Sequence, residues 1–309
     1  MPEGEDNEMA DYRVGMEISA NKASMCMVDE QGAILCRRVF GAVSSNSAER
    51  FTDTLCDHLE DMLLKRGMLP GDARHIGVGI TACVDGALSV VTRAPDGLGD
   101  HPVPLAHLME GRIGVMPMIV HAAWATANAE SRFGFGAPQD FLCVVLGRET
   151  GAVCVRGGKI CLHTCTEARR AALSALQNNA NQNISTEALV RRAKARFVDV
   201  FQGEKASARD VLAHAEAGEP EWIALLNDAA ESFAEALLAA MEACDVKEAV
   251  IGGMLSAYQA HLIDPLCAAV QRCKHNGLDD MPSYAVRQAK FGADSVMVGA
   301  AFFDKQMLA

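Results

Sequence analysis

The chain has 309 residues, 50% of them apolar, and its 40 acidic residues outnumber its 28 basic ones. A chain of this length can bury a large core and is expected to divide into two domains. The net charge of −12 argues against nucleic acids or anionic membranes as partners, and no apolar run reaches the length of a membrane span. The composition is typical of a cytoplasmic protein.

The eleven cysteines are expected to be reduced and buried. Their number is odd, and Cys26, Cys143 and Cys154 lie among apolar neighbours in the sequence. A buried cysteine behaves as a small hydrophobic side chain, and the cytosol keeps thiols reduced. We therefore predict no disulfide framework.

The first part of the chain predicts a strand meander followed by helices and buried strands. Residues 1–11 are acidic and polar and are expected to form a disordered tail. Apolar runs predict the strands, and apolar residues at helical spacing, capped by Ser47 and ended by Gly67, predict a helix. The predicted strands are 13–17, 23–29, 33–40, 75–80 and 118–120, and the predicted helices are 47–67, 105–111 and one that begins at His121.

The second part repeats this pattern. A second strand meander indicates an internal duplication, and the following residues are helical with a polar interruption. The predicted strands are 140–146, 151–156, 159–162 and 248–251, the helical stretch is 166–244 with its interruption at 177–183, and the closing helix is 294–307. Strands mixed with helices in this order predict an α/β protein.

The junction between the strand at 118–120 and the next helix is the predicted position of a cleft. Open α/β sheets bind ligands where strands end and helices begin. His121 is the single acid or base at this junction, and Glu130 follows more than two helical turns later. A cleft whose single acid or base is one histidine is expected to be a weak general acid–base catalyst.

Several stretches of the chain resemble the ROK family of sugar kinases and sugar-responsive repressors. The resemblance runs from about Arg13 to the C-terminus, and its most specific segments are GVGITACVDG, APDGLGDHPVPLAHL, MIVHAAWATANAESRFG and FGADSVMVGAAFF. It implies a two-domain actin-like, ribonuclease H-like ATPase fold with a cleft between the domains. It also implies a sugar ligand, a homo-oligomer, and ATP with Mg²⁺ as cofactors if the chain is an active kinase.

The resemblance also implies domain bounds. Residues 12–120 are expected to form an N-terminal α/β domain, against which a C-terminal helix at 294–309 packs back. Residues 121–293 are expected to form a C-terminal α/β domain with a helical insertion at about 166–245.

The phosphate-binding motifs of the family are altered in this sequence. Its Asp-Ile-Gly-Gly-Thr-Lys run corresponds to residues 17–22, EISANK, where both glycines are lost. Glycines let the backbone approach a phosphate, and added side chains make positive φ angles costly. In the second motif, Glu149 places a carboxylate where a polyphosphate should lie, and an exposed pair of Arg148 and Glu149 at a hairpin turn is an alternative interpretation.

The resemblance assigns seven residues of this sequence to nucleotide binding. The Gly-Gly pair at 252–253 matches the family, although a strand-to-helix turn favours glycine for packing as well. The assigned residues are Glu17, Lys22, Gly147, Arg148, Gly151, Gly252 and Gly253.

The sugar-binding Asn and the catalytic Asp of the family correspond to His121 and Ala122. Phosphoryl transfer needs a group that orients and deprotonates the sugar hydroxyl, which an alanine cannot do. His121 is a candidate substitute base, with a structural or cleft-lining histidine as the alternative. Trp124 narrows the pocket, stacks on a ring or packs in the core. The residues assigned to sugar binding are Asp96, His121 and Glu130.

Most of the family's sugar motif and zinc loop is missing after residue 159. Cys161, His163 and Cys165 remain at alternate positions. Three such ligands are too few for a closed zinc site, and the usual pair of cysteines separated by two residues is absent. We therefore predict no metal site and interpret these residues as buried thiols beside a histidine.

Three hypotheses follow. The first is a degenerate kinase homologue that binds a sugar or sugar derivative, with or without a nucleotide, and lacks efficient phosphoryl transfer. The second is an active ATP-dependent hexose or N-acetylhexosamine kinase in which His121 or Glu17 takes a substituted role. The third is a non-catalytic interaction module. The departures at Ser19, Ala20, Ala122, Glu149 and the zinc loop favour the first hypothesis.

Overall fold

The computed structural model forms two compact units, which are described separately. It describes residues 12–19, 22–41, 47–93, 98, 102–134, 139–162, 166–201, 206–275 and 283–309. Unit 1 contains the described residues up to Ala125 together with Val296–Phe303. Unit 2 contains Thr126–Ser295 and Asp304–Ala309.

The described residues form an α/β structure with strands and helices along most of the chain. The strands are β1 (Arg13–Ile18), β2 (Lys22–Val28), β3 (Ile34–Gly41), β4 (Ile76–Ile80), β5 (Cys83–Val84), β6 (Val91–Arg93), β7 (Met118–His121), β8 (Phe141–Val145), β9 (Gly151–Arg156), β10 (Lys159–Ile160), β11 (Glu248–Gly252) and β12 (Ala285–Gln288). The α-helices are α1 (Ala48–Leu64), α2 (Leu105–Ile113), α3 (Ala122–Ala129), α4 (Glu167–Asn183), α5 (Thr186–Arg196), α6 (Ala208–Glu216), α7 (Pro220–Cys244), α8 (Asp264–His275) and α9 (Ser295–Ala301).

Unit 1 is built on a mixed sheet with the order β3-β2-β1-β4-β7. The turn between β2 and β3 is closed by Asp29, whose carboxylate accepts the N–H groups of Gln31 and Ala33. Strands β1, β4 and β7 are parallel, and Ile18, Ile80 and His121 lie in register at their carboxyl ends. These three strands therefore meet at one edge of the sheet.

The sheet of unit 2 has the order β10-β9-β8-β11-β12 and the same pattern of directions. Strand β9 pairs antiparallel with both β10 and β8, whereas β8, β11 and β12 run parallel. The repeated topology confirms the duplication that the two strand meanders predict. A helical layer, in which α7 packs against α4 and α8, covers this sheet and completes its core.

Glycines allow α9 to lie directly on the strands of unit 1. A Cβ atom at Gly15 or Gly77 would overlap the carbonyl oxygens of Met297 or Ala300. On the helix itself, a Cβ at Gly299 would overlap the carbonyl oxygen of Ala125. The backbones of sheet and helix are thus in direct contact, because no side chain separates them.

Several predicted elements differ in extent from the observed ones. The closing helix was expected to reach residue 307, but α9 ends at Ala301 and residues 305–307 form a separate turn of 3₁₀-helix. Beyond it, the backbone of Ala309 bonds to Ile160 and Leu162 beside β10. The helix expected to begin at His121 begins at Ala122, since His121 ends β7.

The polar stretch at 177–183 does not interrupt the helices. It forms the last two turns of α4, because the helix buries Leu176 and Ala180 while its amides face outward or bond locally. Asn181 accepts the backbone N–H of Thr150, and Asn183 donates to the carbonyl oxygen of Asn179. Strands β5, β6 and β12 are additions that the apolar patterns did not predict.

The cysteines within the described ranges are thiols. Six of them are buried, as the sequence predicts, while Cys36, Cys267 and Cys273 are partly exposed and Cys83 is exposed. Burial raises the pKa of the Cys56 thiol to about 12, so this sulfur is unreactive at neutral pH. Within the described ranges, none of the helices combines the length and apolar character of a membrane span.

The packing of α9 predicts the effect of one added methyl group. We expect Gly299→Ala to lower the free energy of unfolding by about 3 kcal/mol, because the backbone of α3 must move away. Gly111→Ala in α2 is the matched control, since its Cβ meets no atom within 4 Å and helix propensity favours alanine. Urea unfolding of both variants measures this difference, and equal stabilities would show that the contact is not rigid.

Candidate functional site

The first motif assigned to nucleotide binding lies at the carboxyl edge of the unit 1 sheet. Glu17 is near the end of β1, and its carboxylate lies 4.0 Å from the ammonium group of Lys22 at the start of β2. Ser19 closes the turn between them, donating both its backbone N–H and its hydroxyl to the carbonyl oxygen of Lys22. The N–H of Ser19 is therefore engaged within the turn.

His121 caps helix α3 at the same edge. Its Nδ1 atom accepts the backbone N–H of Ala123 at 3.2 Å, which is the bond that an N-cap side chain makes. Burial lowers the pKa of His121 to about 4, so the ring is neutral at pH 7. Since Nδ1 accepts, the hydrogen-bond pattern assigns the proton to Nε2. His121 can thus donate to a ligand, but its lone pair is already used.

Ala122 and Trp124, which follow His121 in α3, cannot act as a base. Ala122 is buried, with 2% of its surface exposed, and carries only a methyl group. Trp124 is partly exposed, and its ring centroid lies 6.1 Å from that of His121 at an interplanar angle of 49°. The partial exposure shows that Trp124 is not fully enclosed in the core.

The second phosphate motif forms a turn between β8 and β9 in unit 2. The start of α5 holds this turn, since the carbonyl oxygen of Gly147 accepts the N–H of Thr186 and Arg148 pairs with Glu187 at 2.7 Å. Gly151 is the first residue of β9 and is buried. Glu149 is exposed at the tip of this turn. The side-chain pair of Arg148 that the structure shows is thus with Glu187 of α5.

The Gly-Gly turn after β11 lies against the β8 turn. Leu146 donates its N–H to the carbonyl oxygen of Gly252 at 2.9 Å. Gly253 has a φ of +85°, and a Cβ there would lie 2.5 Å from the carbonyl oxygen of Leu146. Glycine is therefore required at 253 by the local packing. The two segments assigned to nucleotide binding in unit 2 are in contact at the carboxyl ends of β8 and β11.

Glu130 is a buried carboxylate in unit 2. It follows α3 in a π-helical turn and has no exposed surface. One oxygen accepts from Arg287 Nη1 at 2.8 Å, and the other accepts the backbone N–H of Lys290 at 2.6 Å. The guanidinium of Arg287 also bonds to Glu248 at 2.6 Å. A sugar hydroxyl would have to compete with both donors. The sugar-binding role of Glu130 therefore stays a prediction, and a structural role is the alternative.

A model of the ROK family matches residues 13–164 and 177–307. The chain belongs to the ROK family. No match is found among curated proteins.

Solved structures of ROK proteins share the fold of the chain. The ROK glucokinase from Streptomyces griseus, in complex with glucose and AMPPNP, is 22% identical with a TM-score of 0.72, over 96% of this chain and 99% of its own. The ROK hexokinase from Thermus thermophilus is 20% identical with a TM-score of 0.67, over 94% and 96%. A ROK transcriptional regulator, a homologue of the E. coli MLC protein, is 15% identical with a TM-score of 0.72, over 97% and 79%. The chain thus has the actin-like ATPase fold.

Three residues assigned in this ROK protein lie outside the described residues. They are Asp96 in the sugar loop and His163 and Cys165 in the remnant of the zinc loop. Cys161 is buried, with 6% of its surface exposed. Within the described ranges, no group of three His, Cys, Asp or Glu side chains is placed to hold a metal ion.

Arg287 and Lys290 are the site-forming residues that the sequence did not reveal. They hold Glu130, although 157 and 160 positions separate them from it in the chain. A charge in a sheet strand usually has a partner, but the β12 strand that carries Arg287 was itself not predicted. The sequence could not name that partner.

The bonds of the buried Glu130 carboxylate predict that its replacement lowers the stability of the protein. We expect Glu130→Gln to lower the free energy of unfolding by about 2 kcal/mol, because a neutral amide weakens the bond from Arg287 and places its NH₂ group against one of the two buried donors. Glu231→Gln is the control, since its pair with Arg272 is exposed and such pairs contribute about 0.5 kcal/mol. Chemical denaturation compares the variants, and equal losses would contradict the structural role of Glu130.

The neutral state of His121 predicts a pH-dependent difference in stability. Between about pH 6.5 and pH 4 the unfolded chain binds a proton at His121 that the folded chain does not, so the free energy of unfolding falls as the pH falls. His121→Asn keeps a capping oxygen and cannot titrate. From pH 7 to pH 5 we expect the wild type to lose about 2 kcal/mol more than this variant. Equal losses, or an NMR titration of His121 near pH 6.5, would refute this assignment.

Proposed function

We propose that this ROK protein binds a sugar or sugar derivative without efficient phosphoryl transfer. The observation that carries the proposal is the end of β7, where Ala122 offers a buried methyl group and His121 uses its lone pair to cap α3. The family resemblance assigns the sugar-orienting and catalytic positions to these two residues. A site with a donor and without a base favours binding over deprotonation.

The chemistry of the donor supports a binding role. Phosphoryl transfer to a sugar needs an acceptor that takes the hydroxyl proton as the phosphorus–oxygen bond forms. The Nε2–H group of His121 instead donates, as the amide of an asparagine would, to a hydroxyl or carbonyl oxygen of the ligand. Trp124 offers a partly exposed ring one helical turn further along α3.

The phosphate-binding segments support the same conclusion. The N–H of Ser19 bonds within its own turn, so it is not oriented toward an external phosphate. Glu149 exposes a carboxylate at the tip of the second turn, where it repels a polyphosphate. Both features weaken the electrostatic stabilisation on which phosphoryl transfer depends.

The residues present fit a magnesium–ATP complex poorly. Mg²⁺ is held by carboxylates together with substrate phosphates. Glu17 is the carboxylate at the first turn, and the ammonium group of Lys22 already lies 4.0 Å from it. We therefore derive no catalytic step through a metal ion.

The alternative of an active hexose or N-acetylhexosamine kinase rests on the residues that are retained. Glu17 and Lys22 keep a charged pair at the first turn, and Gly253 keeps the backbone of the β11 turn close to Leu146. In that case His121 or Glu17 would have to release its present partner to act as a base. An interaction module without a small ligand is the third candidate, and the resemblance supports a homo-oligomer in each case.

A coupled assay distinguishes these functions. The chain is supplied with ATP, Mg²⁺ and a panel of hexoses and N-acetylhexosamines, with the Streptomyces griseus glucokinase as the positive control. We expect no turnover above background, because the site lacks a base. Robust turnover that is lost in His121→Ala would instead establish an active kinase.

Ligand binding is measured on the same panel by thermal shift and by the fluorescence of Trp124 in a Trp222→Phe variant. We expect a sugar or sugar derivative to raise the melting temperature and alter Trp124 emission, and His121→Ala to weaken that binding about tenfold. His121→Asn is the matched control, since its amide retains a donor. If no sugar and no nucleotide binds, the interaction module remains.

A further inference from the structure

Helix α5 is strongly basic in an acidic protein. Its eleven residues carry four cations and a single acid, Glu187, while the whole chain has a net charge of −12. Glu187 is already paired with Arg148 at 2.7 Å. Because Glu187 is paired outside the helix, it does not neutralise the four cations of α5.

Two of these cations face an open groove between α5 and α7. The groove has a volume of about 310 Å³ and is lined by Arg192, Ala195, Arg196, Leu225 and Asp228. Arg192 and Arg196 are one helical turn apart, so both guanidinium groups lie on one face of α5. Leu225 is buried and forms an apolar part of the wall. The groove thus combines a pair of cations with an apolar surface.

The present partners of the two arginines are replaceable. Arg192 Nη1 donates to a neutral oxygen, Oδ1 of Asn183, at 3.2 Å. Arg196 pairs with Asp228 at 3.2 Å, with 42% and 56% of the two side chains exposed. Exposed pairs of this kind contribute little to stability, so an anion can displace Asp228 at small cost. Counting the lining side chains gives two positive charges and one negative charge.

An aromatic cluster lies next to Arg196. The guanidinium of Arg196 lies 5.9 Å from the ring centroid of Phe197. Phe197 stacks on Trp222 at 4.0 Å, and His214 stacks on Trp222 at 4.2 Å. The Phe197 ring therefore offers a packing surface to the Arg196 side chain, which restricts the conformations that this side chain must lose when it binds a ligand.

We propose that this groove is a binding site for a phosphate monoester, with Arg192 and Arg196 as the residues that contact the phosphate. Guanidinium groups bind phosphate oxygens through paired, charge-assisted hydrogen bonds. The exposed side chain of Ala195 offers an apolar contact to the carbon portion of the ester. The site is formed by the helical layer of unit 2 and is separate from the turns assigned to nucleotide binding, since Arg192 lies six residues beyond Thr186 at the start of α5.

Fluorescence of Trp222 reports on this groove. In the full chain with Trp124→Phe, Trp222 is the single tryptophan. This variant is titrated at constant ionic strength with glucose 6-phosphate, inorganic phosphate and glucose, and calorimetry repeats each titration. We expect glucose 6-phosphate to change the Trp222 emission saturably and glucose to leave this emission unchanged, whereas any glucose binding at the His121 site appears in calorimetry alone. Saturation by inorganic phosphate as well supports the site and shows that the phosphate group alone is recognised.

Matched variants test the roles of the side chains. Arg192→Gln and Arg196→Gln are each expected to weaken glucose 6-phosphate binding at least about tenfold. Asp228→Asn is expected to tighten it by about threefold, because the competing carboxylate is removed. Arg191→Gln is the control, since Arg191 belongs to the same helix, bonds to the carbonyl oxygen of Gln182 and does not line the groove.

The outcomes are decisive in both directions. Circular dichroism tests whether each variant is folded. If Arg192→Gln does not fold, Arg192→Lys takes its place, because lysine keeps the charge but loses the paired donors. Its expected loss is smaller than that of Arg192→Gln. The proposal is overturned by an absence of saturable binding of glucose 6-phosphate, by an equal change of Trp222 emission with glucose, or by an Arg191→Gln variant that is weakened as much as the groove variants.

Discussion

The direct contact of α9 with the backbones of β1 and β4 is the constraint on which unit 1 depends. Glycine at 15, 77 and 299 lets carbonyl oxygens and strands approach as closely as main chains can. A strand edge that carries functional residues must be held to a fraction of an ångström, and main-chain packing does so without flexible side chains. The position of His121 at that edge follows from this packing.

Much of the fold was predictable from the sequence because the signals were local and repeated. Apolar runs located the central strands of both sheets, and Ser47 marked a helix start that the structure shows. The short β12 strand was missed, since half-buried residues with an arginine give no apolar run. The extent of α9 was overestimated because the apolar pattern continues through Phe302 and Phe303 after the helix has ended.

The candidate site was predictable in its place and much less in its bonds. The end of β7 could be located from a strand followed by a helix, and the resemblance assigned His121 and Ala122 there. The capping bond from Ala123 to His121 could not be predicted, because it depends on one side-chain rotamer. Glu130 looked like the nearest carboxylate in the sequence, yet its partners come from residues about 160 positions away, which no local pattern encodes.

The buried pair of Glu130 and Arg287 also bears on how the sequence of this protein can change over time. Replacement of Arg287 alone is costly, since the fully buried Glu130 would lose its guanidinium partner, whereas replacement of Glu130 alone leaves Arg287 paired with Glu248. Exchange of both for apolar residues of similar volume avoids that cost. Related chains should therefore vary at these two positions together, and Glu248, which shares the arginine, should vary with them more weakly.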